Sequence, residues 1–134
     1  IQLMPATAKE VGVSDSFNPK QNISGGVRYL NKMRDKFENV GDSIQRVKFT
    51  LAAFNCGAGH VFDAMRLAEK NGKNPNIWDE NVEEYILKLA DKKYYLDEVV
   101  RYGFVRGREP YNYVKDIFLR YEHYKQFIKE EVKI

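Results

Sequence analysis

One nucleophile and base spacing stands out in the sequence: Cys56 and His60, four residues apart, would share a face of an unbroken helix and could activate a thiolate. Gly57 and Gly59 fall between them and interrupt that helix, so the pair reads as structural. Metal binding needs several ligands at short spacing, whereas His60 and His123 are far apart and Cys56 is the only cysteine. Gly57-x-Gly59 follows a helical stretch and lacks the lysine that a phosphate-cradling loop carries at a fixed offset. No metal and no cofactor is therefore expected.

Three other blocks place hydrogen-bonding side chains at helix ends. They are Gln2-Leu3-Met4-Pro5-Ala6-Thr7-Ala8, Ala52-Ala53-Phe54-Asn55-Cys56-Gly57-Ala58-Gly59 and Arg108-Glu109-Pro110-Tyr111-Asn112-Tyr113-Val114. Clefts of an all-α domain form where helices end, and Asn or Gln at such a place can grip hydroxyl and acetamido groups with two hydrogen bonds. Each block taken alone is equally well explained by a capping or turn role. Of the eleven glutamates, only Glu109 belongs to a block, which makes it the one in-chain candidate for a general acid. Glu10 reads as part of a solvated helix face.

The elements that must position these blocks are helices, because nearly every segment has helical periodicity and none alternates as a half-buried strand does. Pro5 opens a short helix that Gly12 can end. Ser14 to Asn22 is expected to be a loop. Ile23, Val27, Leu30, Met33 and Phe37 then form one apolar face, with Gly25-Gly26 hinting at close packing against another backbone. Ser43 or Asp42 can cap a third helix, whose continuous apolar end through Phe54 implies burial. A helix over His60 to Lys70, a turn at 71–76, and an amphipathic segment from Val82 to Leu89 follow, with Tyr94 to Tyr102 expected as a further helix. The last long helix should start near Pro110 and carry Tyr113, Val114, Ile117, Phe118, Tyr121, Tyr124, Phe127 and Ile128 at helical spacing.

A chain of 134 residues predicts one core and one domain, and no internal repeat or linker divides it. The formal charge of +3 is dispersed, because basic stretches such as Lys88 to Glu98 also hold acids; a nucleic-acid stripe is excluded. One cysteine allows no internal disulfide, which leaves an exported protein possible. No apolar run approaches the ~20 residues that span a bilayer. The chain opens at Ile1-Gln2-Leu3 without an initiator Met and reads as a segment of a longer product, with any targeting information upstream.

Taken together and in order, the three blocks resemble family 1 lytic transglycosylases, whose patterns are Gly-Leu-Met-Gln-Leu-Met-Pro-x-Thr-Ala, Ala-Tyr-Asn-Ala-Gly-x-Gly and Glu-Thr-x-x-Tyr-Val. Ile23 to Leu30 and Tyr102 to Glu109 are similar to a membrane-bound subfamily, and the resemblance runs from Gln2 to about Tyr121. It implies a lysozyme-like helical fold of the goose-type and soluble lytic transglycosylase kind. It also implies non-hydrolytic cleavage of the peptidoglycan β-1,4 bond, with formation of 1,6-anhydro-N-acetylmuramic acid. One glutamate serves as acid and then as base, and the family places it upstream of Ile1, so that residues 1–134 are expected to be the catalytic domain without its catalytic-glutamate helix.

Carried over position by position, the resemblance implies that Gln2 and Met4 line the cleft, Asn55 orients an acetamido or C6 hydroxyl group, Tyr113 bonds the glutamate or substrate, and Glu109 supports that corner. Phe54 stands where the family usually has Tyr, Cys56 where it commonly has Ala, and Pro110 where it often has Thr. Phe54 thus lacks a hydroxyl that could touch substrate. Peptidoglycan glycan strands are the expected partner, with no nucleic acid and no oligomer. The subfamily further implies an upstream solute-binding-like domain and a periplasmic place on the outer membrane of a Gram-negative bacterium. Two other readings stay open: a catalytically inactive peptidoglycan-binding module of the same fold, and a goose-type lysozyme-like hydrolase.

Overall fold

A computed structural model describes residues 5–10, 12, 14 and 18–132. Gln2 and Met4 lie outside the described residues, as does Leu3. Among the described residues the chain is all-α and contains no strand. The helices are α1 (Pro5–Glu10), α2 (Pro19–Asp35), α3 (Ser43–Cys56), α4 (Ala58–Lys70), α5 (Glu83–Lys88), α6 (Lys92–Tyr95) and α7 (Arg108–Val132).

Side chains that accept from free backbone amides set the helix starts. Asn18 Oδ1 accepts from the amides of Lys20 (3.0 Å) and Gln21 (3.2 Å), and Pro19 at the first helical position needs no amide partner. The loop expected as far as Asn22 therefore ends at Asn18. Asp42, one of the two proposed caps, accepts from Gln45 N at 2.9 Å and starts α3. Asp91 does the same for α6 through Lys93 N.

Helix α3 is the centre of the domain, packed by α2, α4 and α7. Its Phe49 has no exposed surface and stacks on Phe37 at 5.5 Å, while the edge of Trp78 meets it at 5.6 Å. Leu67 of α4, with Ile86 and Leu89 at α5, completes this core. Trp78 itself belongs to a tight turn over Trp78–Val82. Gln45 pins that turn by accepting from the amides of Trp78 (2.8 Å) and Asp79 (3.2 Å) while its own Nε2 donates to Asp79 Oδ2. Lys48 Nζ lies 2.8 Å from the same carboxylate. Partial burial opposes ionisation of Asp79, but hydrogen bonds from Lys48 and Gln45 outweigh it and hold the carboxyl below its usual range.

The fold corrects two further expectations. In α2 the inward face is the expected stripe only at its C-terminal end, where Met33 and, just past the helix, Phe37 are buried; Ile23 and Val27 are 66% and 54% exposed, and Asn22, Gly25 and Gly26 are buried in their place. Gly26 itself marks no close backbone approach, since a Cβ there would meet nothing within 4 Å. The second correction concerns Tyr94 to Tyr102, where only Lys92–Tyr95 is helical. Asp97 Oδ1 accepts from Val99 N (3.0 Å), and Asp63 on α4 accepts from the amides of Arg101 and Tyr102 (both 2.8 Å). Gly103 follows at φ +77°. Side chains have taken the amides a helix would have used, which is how Asp competes with helical structure.

Gly107 joins this irregular segment to α7 where no side chain fits, since a Cβ there would lie 1.7 Å from the carbonyl oxygen of buried Ile86. Backbone cannot yield as a side-chain tip can, so Gly107→Ala is expected to cost at least ~3 kcal/mol, the upper end of ordinary overpacking. That corresponds to a melting temperature about 10 °C lower for a domain of this size, measurable by calorimetry. A melting temperature within about 2 °C of the parent would show that α5 and α7 do not meet this closely.

Candidate functional site

Two of the three blocks meet on one face. Phe54, in the last turn of α3, stands between Tyr29 of α2 (ring centroids 5.6 Å, tilted) and Tyr113 of α7 (6.5 Å, 12° between planes). All three rings are partly buried, so the ladder ties three helices together while keeping an edge in water. Burial pushes the Tyr113 hydroxyl above its ordinary pKa. Burial does the same to Tyr29, helped by the charge of Glu10 and opposed by Lys32. Both phenols are thus neutral hydrogen-bond donors throughout the physiological range.

Next to Phe54, Asn55 is exposed at the corner between α3 and α4. The corner is sharp because Gly57 takes φ +94° and ψ 144°, a conformation open essentially to glycine alone. Its amide closes α3 on Ala53 O at 2.8 Å, and α4 begins at the next residue. The turn leaves the Asn55 amide free to reach outward and puts Cys56 inside. Glu109 lies in the first turn of α7 and is exposed, without the apolar enclosure a general acid uses. Glu10, the other glutamate near a block, is exposed and pairs with Lys32.

The sequence reading missed three features of this region. Tyr29 completes the ladder; its signal was the Gly25-Gly26-Val27-Arg28-Tyr29-Leu30 string. Asp63, 0% exposed, is the second, and an acid within the apolar run Val61-Phe62-Asp63-Ala64 was its only mark. Its carboxylate takes a hydrogen bond from Arg66 as well as the two loop amides, and Arg66 Nε also holds Val99 O at 2.9 Å. Tyr102, which those bonds position against Gly59 and His60, is the third.

A groove of about 330 Å³ opens elsewhere, lined by Lys48, Asp79, Glu83, Tyr111, Phe118 and Glu122 among others. At ~100° per residue, Tyr113 lies roughly 140 to 180° around α7 from Lys115, Phe118 and Glu122, so this groove is across the helix from the ladder. Burial, with Asp79 nearby, raises the Glu83 carboxyl, the one carboxyl with a raised pKa among the described residues. Its neighbour Asp79 is occupied by Lys48 and Gln45, and Lys48 also rests 4.9 Å from the Phe118 ring. The groove therefore offers one held-back carboxyl and, from the blocks, Tyr111 and Val114, but none of Phe54, Asn55, Glu109 and Tyr113.

Among known proteins, the family model for the transglycosylase SLT domain matches residues 1–77. A "membrane-bound lytic murein transglycosylase F" of Desulfosudis oleivorans is 40% identical over 126 residues, covering 94% of this chain and 27% of that protein. Proteins of the same name from Shewanella halifaxensis and from Vibrio cholerae serotype O1 are each 43% identical, over 117 and 119 residues; each match covers 87% of this chain, and 24% and 21% of those proteins. The chain thus spans about a quarter of the length of these relatives.

The geometry also decides the Cys56 and His60 question. Burial pushes the Cys56 thiol up to about 12, and its Sγ points to Gly57 O at 3.7 Å rather than to His60. Burial lowers the His60 pKa, with partial compensation from Asp63. Because the thiolate is the reactive form, Cys56 is expected to resist iodoacetamide at pH 8 in the folded protein and to react at an ordinary rate in guanidinium. Labelling followed by mass measurement checks this, and rapid labelling of the folded protein would mean a thiolate poised for chemistry.

Proposed function

Given that the chain belongs to the transglycosylase SLT domain family, we propose that it is the greater part of a peptidoglycan lytic transglycosylase domain that cleaves the β-1,4 bond from N-acetylmuramic acid to N-acetylglucosamine without water. The lysozyme-like helical fold of that family is the fold of this chain. The observation that carries the proposal is the stacking of Phe54 on Tyr113. It joins the ends of α3 and α7 on one face beside the exposed Asn55 amide, which suits a partly apolar, partly polar sugar ring.

In the proposed reaction a glutamate contributed from upstream of Ile1 protonates the glycosidic oxygen, and the bond from C1 to that oxygen breaks. The C6 hydroxyl of the muramic acid then closes on C1 and returns its proton to the same glutamate, giving a 1,6-anhydro ring. Asn55 would orient the acetamido or C6 hydroxyl group, Tyr113 would donate to the glutamate or substrate, and Gln2 and Met4 would line the cleft, with Glu109 supporting its corner. A single carboxylate suffices because the nucleophile is part of the substrate, unlike the paired carboxylates of ordinary glycosidases. The relatives' "membrane-bound" name and their greater length support a periplasmic enzyme held at the outer membrane by upstream sequence, with a solute-binding-like domain there.

One observation favours a second reading, a sugar-binding module without catalysis: among the described residues the ladder face carries no enclosed carboxylate. Mass spectrometry of the soluble products from purified peptidoglycan digested by the full-length protein separates the two. Muropeptides lighter by one water than hydrolytic ones are expected. Reducing-end products would mark a hydrolase, and binding without release would mark the module. Glu83→Gln and Glu109→Gln are each expected to keep activity within about threefold of the parent, whereas an acid removed costs orders of magnitude. Abolition by either would move the acid into this chain.

A further inference from the structure

We propose that Tyr102 is a stacking platform for a pyranose ring of the glycan strand, extending the Phe54, Asn55 and Tyr113 face past the α3–α4 corner. The proposal rests on the reading above. Its observation is an aromatic ring that is 61% exposed yet held from four directions.

The ring's under-surface is Gly59. A Cβ built at Gly59 would be 2.8 Å from Tyr102 Cγ, 2.8 Å from Cδ1 and 2.9 Å from Cδ2. Near-equal distances to three ring atoms place that point over the ring's face, so the glycine backbone covers one face and leaves the other to solvent. The His60 ring meets Tyr102 edge-on, with centroids 6.4 Å apart. The Tyr102 amide is fixed to buried Asp63 Oδ2 at 2.8 Å, and the preceding amide to Oδ1 of the same carboxylate. Upstream, Arg66 holds Val99 O, and Lys70 holds Asp97 at 2.9 Å.

Single exposed aromatic residues are common and need no explanation. This one differs in that a buried carboxylate and an arginine are spent on immobilising an irregular segment whose ring then faces water. Fixing a ring in advance removes the ordering cost of binding, which is how rigid aromatic side chains serve recognition. The ligand class follows from the surface: one flat apolar face matches the C–H face of a pyranose, and its rim supplies the phenol hydroxyl. Location fits as well. Gly59 follows Asn55 by four residues across the Gly57 corner, so their Cα atoms are within roughly 14 Å of each other on chain length alone. A glycan strand laid on the Asn55 corner can reach both.

Dissociation constants and turnover of the full-length protein on peptide-free peptidoglycan glycan strands test this. Tyr102→Ala is expected to weaken binding about tenfold, the loss typical of a truncated aromatic anchor, with kcat within about twofold and an unchanged melting temperature. Tyr102→Phe should bind like the parent, because the ring and not the hydroxyl does the stacking. Gly59→Ala, which drives a methyl into the ring, should weaken binding as Tyr102→Ala does. Parent-like binding by Tyr102→Ala would overturn the platform while leaving the lytic reading intact. Equal loss in Tyr102→Phe would replace stacking with a hydroxyl contact and overturn it too. A parent protein that neither binds nor cleaves the strands would remove the reading on which the platform rests.

Discussion

A carboxylate with no exposed surface is tolerated only when its oxygens are matched by donors, because each unpaired lone pair would carry the full cost of leaving water. Asp63 meets that condition by taking Arg66 from its own helix and two consecutive amides from the far segment, Arg101 and Tyr102. The bonds run both ways in their effect. They satisfy the acid, and they dictate where the chain after α6 must pass. That path brings Tyr102 over Gly59, and the chain then passes Gly107 against the Ile86 carbonyl and enters α7 at the place where Tyr113 can face Phe54. Positions on three helices and one irregular segment thus depend on a single buried group.

The all-α class, the caps at Asp42 and the ends of α3 and α4 were legible in the sequence because they follow from local rules: short polar caps, apolar continuity and glycine at a corner. The path of 96–107 was not, because it is set by Asp63, more than thirty residues away. Its apparent helical pattern is real as composition, but the amides of Val99, Arg101 and Tyr102 are taken by carboxylates instead of carbonyls. Helix α2 misled in another way. Its apolar residues Ile23 and Val27 have the right spacing, yet the face turned inward carries Asn22, Gly25 and Gly26.

The candidate site was legible to a different degree. Phe54, Asn55, Glu109 and Tyr113 were identifiable as block residues, and Phe54 and Tyr113 do meet, whereas nothing local in the sequence connects Tyr29 to them. The substitution of Phe54 for the family's usual Tyr has a physical reading here. Enclosed between Tyr29 and Tyr113, the ring has aromatic neighbours on both sides, and its packing does not need a hydroxyl. The groove of Glu83 and Lys115 lies across α7 and holds a salt-bridged acid, a pairing that stabilises a turn as readily as it serves a ligand.

Hydrogen–deuterium exchange on the full-length protein, with and without soluble peptidoglycan glycan strands, tests most directly whether the ladder face is where the glycan lies. The account predicts slower exchange on binding in peptides covering 52–60 and 100–113, with 115–122 unchanged. Protection confined to 78–83 and 115–122 would place the glycan in the opposite groove and contradict it.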